Sequence, residues 1–219
     1  MSRVWDPTPK TKTDSLRPFG GEVLSLEPQD LEYFEHRYEI DPMTAGVYIK
    51  YTPATQRYVL PIISPQGWAR GMVLRKPWPE APRTSPEWFS GPKADTFMSR
   101  YEPVQSFYRA QYGSHEQLVV VEDQLSAIKL MDWGIDSVAM LGTPYSKGTQ
   151  FQAADRIAEI AREANGREVI VAFDADATDA SFEFVRKWGP SFRRIRVAIL
   201  EQDLKDTPAR TFGEVLGLV

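Results

Sequence analysis

The sequence predicts an α/β fold: a four-stranded, mostly parallel sheet between helices, preceded by a smaller mixed α+β region. Two observations carry this. From residue 117 onward, apolar runs of strand length alternate with amphipathic stretches of helical length. That order produces right-handed crossovers and a parallel sheet. The first such run, "QLVVVE", is apolar at consecutive positions, as a strand covered on both faces must be.

Taken in order, residues 1–20 are polar, rich in Pro, Thr and Lys, and without periodicity. They read as a flexible arm, drawn as residues 1–26. Leu31, Phe34 and Tyr38 fall at helical spacing, and Asp30 is placed to cap them, so a helix is expected over 28–38. "GVYIKY", "RYVLPII" and "ARGMVLR" read as extended, the last two as a hairpin across "SPQGW". Residues 76–96 hold Pro77, Pro79, Pro82, Pro86 and Pro92, so a long irregular loop is expected there. Residues 97–112 read as irregularly helical. The region 27–112 forms one expected unit and 113–219 another.

In the second unit, "QLVVVE" is a strand and "DQLSAIKLMDWG" a helix ending at Gly134. "DSVAMLG" is a second strand. "QFQAADRIAEIAREANG" is a helix with Phe151, Ala154, Ala158 and Ala161 on one face, closed by Asn165-Gly166. "REVIVAFDAD" is a third strand, "TDASFEFVRKWG" a helix and "IRVAIL" a fourth strand. Trp133 and Trp188, at helix ends, read as core.

Composition excludes several chemistries. The 219 residues include no cysteine and two histidines, His36 and His115. Disulfide scaffolds, cysteine-bearing zinc sites, iron–sulfur clusters and thiol nucleophiles are excluded. Apolar residues make up 42% and charged residues 26%, a globular balance. No apolar run is long enough to span a bilayer and the N-terminus lacks a signal-peptide core, so a soluble, cytoplasmic protein without membrane contact is expected. Neither G-x-x-x-x-G-K-[ST] nor G-x-G-x-x-G occurs, which removes a P-loop motor and disfavours a dinucleotide-binding oxidoreductase. Net charge is −4, yet residues 57–109 carry eight basic and four acidic side chains. A basic stripe beside an acidic site fits this pattern, as does ordinary surface scatter.

In open α/β sheets the ligand lies at the carboxyl ends of the strands. Here those ends carry Glu122-Asp123, Leu141-Gly142-Thr143, Asp174-Ala175-Asp176 and Glu201-Gln202-Asp203, with Lys205-Asp206 beyond. Carboxylates from three strands would raise one another's pKa, a conflict that a divalent cation removes. Oxygen-only donors suit Mg²⁺ or Mn²⁺ and not zinc. At strand spacing Asp174 and Asp176 point to the same side. Helix capping accounts for Asp123 by itself but not for three convergent ends.

A glutamate after the first of these strands, an Asp-x-Asp after the third and a Lys-Asp after the fourth together resemble the Toprim domain. That fold is shared by bacterial and phage primases, topoisomerases and some nucleases. "RYVLPIISPQGWARGMVLR", "GPKADTF" and "MLGTPYSKGTQ" are similar to successive stretches of the primase polymerase core, over roughly residues 28–210, with a phage-like early segment. Asp123, Asp179 and Pro208 stand where the family usually has Gly, Gly and Asp. The zinc-binding module and helicase domain of larger primases are expected to be absent.

The resemblance implies RNA primer synthesis from NTPs on a single-stranded DNA template by one or two Mg²⁺ or Mn²⁺ ions. It assigns Glu122, Asp174 and Asp176 to metal binding, with Asp206 and then Asp203 completing the cluster. Asp203 also fits a plain turn. Arg75 and Lys93 are placed near template or NTP phosphates, with Lys93 counted among the catalytic residues. Arg70 and Lys76 join them or are solvated charges, and Lys205 faces a triphosphate or forms a salt bridge. Trp68, Trp78, Trp88 and Phe89 interleave with these charges and read as core or as base-stacking rings. A separate replicative helicase or template-selecting protein is the expected partner. A Toprim nuclease and a catalytically degenerate accessory protein are the alternatives.

Overall fold

The computed structural model describes residues 21–78, 80–83, 94–98, 105–112, 116–141 and 150–218. Helix α1 (Pro28–Tyr38) occupies the expected span. Its N-cap is Glu27, and Asp30, one turn in, accepts the Glu27 backbone N–H at 3.0 Å. Asp30 is fully buried and is held by the Tyr58 hydroxyl at 2.8 Å and by the Arg83 guanidinium. Residues expected to begin an extended run form a second helix instead, α2 (Pro42–Tyr48). Asp41 caps it by accepting from the Met43 and Thr44 N–H groups, and Pro42 supplies a preset φ at the first position.

The first sheet is antiparallel, in the order β1 (Lys50–Thr52), β2 (Arg57–Ile63), β3 (Ala69–Arg75), β4 (Ala94–Met98). The β2–β3 hairpin is as expected, with Gly67 at positive φ in its turn. Strand β4 corrects both the irregular loop and the irregular helix expected around it, because β3 offers an open ladder edge that the chain returns to fill.

The second sheet has the order β5 (Ser106–Tyr108), β7 (Ser137–Ala139), β6 (Gln117–Val121), β8 (Glu168–Val171), β9 (Arg194–Val197). The four expected strands are parallel, and β5 adds an antiparallel edge where a helix was expected. Although β5 precedes residue 113, it belongs to this sheet. Along β6, Leu118 and Val120 pack on one side while Val119 and Val121 pack on the other. Val169 and Val171 alternate with Ile170 in the same way. Double burial is therefore the physical cause of the unbroken apolar runs.

Helix α3 (Gln124–Asp132) covers one face together with α1, α2 and β2, in one continuous cluster. Helices α4 (Gln150–Ala164) and α5 (Thr178–Trp188) cover the other. The buried stripe of α4 is Ile157, Ile160 and Ala164, whereas Ala154 and Ala158 are exposed. Isoleucine removes more apolar area from water than alanine, so it sets the helix rotation. The side chain of Phe151 lies outside the described residues. Trp133 is 49% exposed, contrary to its core reading, and its indole N–H donates to the Glu39 carbonyl at 3.1 Å. Trp188 packs partly buried against the second cluster. A short C-terminal helix, α6 (Phe212–Val215), buries Phe212 and Leu216 under the first.

Among the described residues no helix is long and apolar enough to cross a membrane.

Candidate active site

The chain leaves β6 to pair with β7 on one side, then returns through α4 to place β8 on the other side of β6. The carboxyl ends of β6 and β8 therefore diverge at a topological switch point, where α/β sheets open a crevice. A cleft of about 760 Å³ lies there. Glu122, Asp123, Asp174, Asp176, Asp203 and Lys205 line one wall, and Arg75, Lys76 and Trp78 of the first sheet and its following loop line another.

Each acid reaches the cleft by a different local device. Glu122 directly follows β6. Asp123 caps α3, accepting from the N–H groups of Leu125 at 2.8 Å and Ser126 at 3.2 Å and from the Ser126 hydroxyl at 2.8 Å. Asp174 stands three residues past the end of β8. Asp176 is not its strand neighbour across a pleat, because the chain turns into a 3₁₀ segment over Ala175–Ala177. The turn, not strand periodicity, brings Asp176 to the cleft. Asp203 accepts the Ala175 N–H at 3.1 Å, which fastens its loop to the Asp174 turn.

The electrostatics follow from crowding. Burial raises Glu122 to about 7, and Asp174, Asp176, Asp123 and Asp203 reinforce the shift. Burial also raises Asp174 to about 6; Asp123 pushes it further up while Lys205 pulls it down. Burial lowers Lys205, but Asp123, Asp203 and Asp174 outweigh it and leave the ammonium raised. The Lys205 ammonium is bonded to Asp203 and lies 3.7 Å from Asp123 and 3.8 Å from Asp174. Glu122 Oε1 is buried and has no hydrogen-bond partner. An orphaned carboxylate oxygen in an all-oxygen donor set fits a hard divalent cation. Among the described residues, no three acidic side chains stand close enough to hold an ion as they are.

Of the basic residues, Arg75 stacks over the Trp78 ring at 4.9 Å, which fixes its direction at the cleft edge. Lys76 lines the same edge. Trp78 itself is buried among Phe34, Tyr38 and Tyr58. Trp68, at the hairpin turn, is exposed. Two residues grouped with the site in the sequence do not line the cleft. Arg70 forms a largely buried two-pronged pair with Glu159 of α4. Asp206 turns outward and accepts from Arg37 at 2.6 Å, so Asp203 takes the place in the cleft that the sequence favoured for Asp206. Asp179 is exposed in the first turn of α5 and does not line the cleft. Lys93, Trp88, Phe89 and His115 lie outside the described residues.

Two contributors escape the motif reading. The Gln124 amide donates to the Pro61 carbonyl at 2.7 Å and to the Tyr108 hydroxyl at 2.9 Å, joining the two sheets at the cleft floor. Lys129 is 2% exposed on α3. Its ammonium donates to the carbonyls of Thr207 at 2.6 Å and Lys205 at 3.2 Å, and lies 3.5 Å from Glu39. Glu39 in turn accepts the Ala209 N–H at 2.7 Å. A lysine inside the apolar run "AIKLM" is the only trace of this clip in the sequence.

No family model matches the sequence, and no curated protein matches it. Solved structures do match in fold. The Aquifex aeolicus primase fragment with zinc-binding and RNA polymerase domains superposes with TM-score 0.63 at 14% identity, over 87% of this chain and 56% of that one. A DnaG primase catalytic domain bound to single-stranded DNA gives 0.55 at 19% identity, over 89% and 64%. The primase fragment of the bacteriophage T7 primase-helicase gives 0.52 at 14% identity, over 84% and 69%. The chain thus spans about half to two thirds of these structures, and it has the fold of a primase catalytic core.

Proposed function

We propose that this chain synthesises RNA primers on single-stranded DNA by metal-dependent nucleotidyl transfer, with a Toprim-type acidic centre. The observation that carries the reading is the cleft itself. Within a primase-type fold it sets Glu122, Asp174, Asp176 and Asp203 opposite the fixed cation Arg75 and its neighbour Lys76. A primer 3′-hydroxyl would attack the α-phosphate of an incoming NTP, forming a phosphodiester and releasing pyrophosphate. Both reactants are polyanions, so the basic edge supplies positioning. Arg75, held by Trp78, offers a guanidinium fork to phosphate oxygens. Lys205 faces the same space from the acidic wall.

Glu122 and Asp174 would hold Mg²⁺ or Mn²⁺, with Asp176 and Asp203 contributing directly or through water. When bound, the ion acidifies the attacking hydroxyl and offsets charge on the attacking and leaving oxygens. Burial and the neighbouring carboxylates raise Glu122 and Asp174, and the Lys205 charge offsets only part of the shift at Asp174. In this reading the basic edge contributed by the first sheet and the loop after it faces the template and NTP phosphates, and the strand ends of the second sheet supply the acidic side. A single-stranded DNA template and NTPs are the substrates, and a separate helicase or template-selecting protein is the partner.

One observation favours a second reading, an accessory protein without catalysis. The acids do not stand in a ligand set, and Lys205 occupies the space among three of them. The deciding experiment is labelled-NTP incorporation on mixed single-stranded templates, with Mg²⁺ and then Mn²⁺, for wild type and Asp174→Ala. Short RNA products that vanish in the variant support the primase. Binding to single strands without products supports the accessory reading, and shortened template points to a nuclease.

A further inference from the structure

We infer that Lys205 is a built-in counter-ion of the acidic centre, one that a divalent cation must displace in order to bind. The inference rests on the metal-site assignment of the proposed function and concerns how that site is loaded. The Lys205 ammonium meets carboxylates from three separate segments: the α3 cap (Asp123), the turn after β8 (Asp174) and its own loop (Asp203). These side chains are only 12–28% exposed, so solvent screens them weakly.

A Mg²⁺ ion bound to a carboxylate oxygen sits about 2.0–2.1 Å from it. The ammonium lies 3.8 Å from Asp174. An ion on Asp174 would therefore stand within a few ångströms of Lys205, and two positive charges at that range repel strongly in a partly dry site. One must leave, and the geometry says which part moves. The Lys205 carbonyl is pinned by buried Lys129, while its side chain lines an open cleft of about 760 Å³. The backbone stays and the ammonium swings into the cleft, the space where a nucleotide's phosphates would lie. Loading of the acidic centre and engagement of a polyanion are then coupled through one side chain.

The test is a nucleotide-free Mn²⁺ titration followed by electron paramagnetic resonance on the full chain. Wild type, Lys205→Met, Lys205→Arg and Asp174→Asn are compared, and the Mn²⁺-dependent rise in melting temperature is recorded for each. Lys205→Met is expected to bind Mn²⁺ about tenfold tighter or more, with a larger melting shift, because the competing charge is gone. Lys205→Arg, which keeps the charge, is expected to stay close to wild type. Equal or weaker Mn²⁺ binding by folded Lys205→Met overturns the inference and leaves the metal site standing. Binding that is indifferent to Asp174→Asn, or absent from every form, overturns the metal-site assignment itself and this inference with it. The melting curves separate loss of fold from loss of affinity.

Discussion

Replacing Lys129 by methionine keeps the apolar stem and removes the charge, which isolates what the buried ammonium does. In the native protein it donates to two backbone carbonyls and faces Glu39. Hydrogen bonds from a charged donor contribute about 1.5–3 kcal/mol each, and a buried carbonyl left without a donor costs about 1–3 kcal/mol. Against this stands relief of desolvation, since burial pulls the Lys129 pKa down. The balance is a loss of about 2–4 kcal/mol, a large share of a typical domain's 5–15 kcal/mol. For a chain this long that lowers the melting temperature by roughly 10 °C. The assay is urea unfolding followed by far-UV circular dichroism, together with nucleotide affinity at a temperature where the variant is folded. Because the clip holds the loop bearing Asp203 and Lys205, nucleotide affinity is expected to fall along with stability. An unfolding free energy within about 0.5 kcal/mol of wild type, the range of an ordinary surface substitution, would refute the argument, since it would mean the two carbonyls need no donor.

Other outcomes follow from the same contacts. In the metal-free protein the raised carboxylates make the folded state bind more protons than the unfolded one, so stability is lost as pH rises from about 4.5 to about 7 for Glu122 and from about 3.8 to about 6 for Asp174. Thermal melts in chelator should therefore show a higher melting temperature at pH 6 than at pH 8, and saturating Mn²⁺ should shrink the difference; a flat profile in chelator would count against crowded, ionisable acids. Arg70 and Arg75 should behave oppositely. Arg75→Ala is expected to weaken single-stranded DNA or nucleotide binding about tenfold and to lower the salt slope by about 1 with little change in melting. Arg70→Met is expected to cost about 3–5 kcal/mol of stability by removing the Arg70 counter-charge from the buried Glu159 carboxylate, which keeps the Gln105 amide, with binding per folded molecule unchanged. Measuring both variants for melting and for DNA binding checks the pair, and interchangeable effects would refute the assignment.

The parallel sheet was legible because its signal is local and strong. Strands buried on both faces have to be apolar at successive positions, and the Gly-closed helices between them dictate crossovers. The acids at the strand ends were legible for the same reason, since a strand's end fixes where its next residues emerge. Short elements were not. The three residues of β5 become a strand only by pairing with β7, and β4 only by pairing with β3, so no periodicity inside them can announce it. Helix α2 did carry a local sign, Asp41 before Pro42, which the apolar run "GVYIKY" obscured.

Within the site, residue type and order along the chain determined which acids are candidates: Glu122, Asp174 and Asp176 all line the cleft. Only the tertiary structure decided which flanking charges join them. Asp203 and Asp206 are three residues apart and chemically alike, yet one bonds into the Asp174 turn and the other is drawn outward to Arg37. Arg70 and Arg75 share one strand, but Glu159 of α4 neutralises the first and Trp78 aims the second. Sequence fixes a charge's identity and its tether. Its role depends on the partner that packing delivers from distant parts of the chain, because charge–charge energies depend on separation in space and are indifferent to distance along the chain.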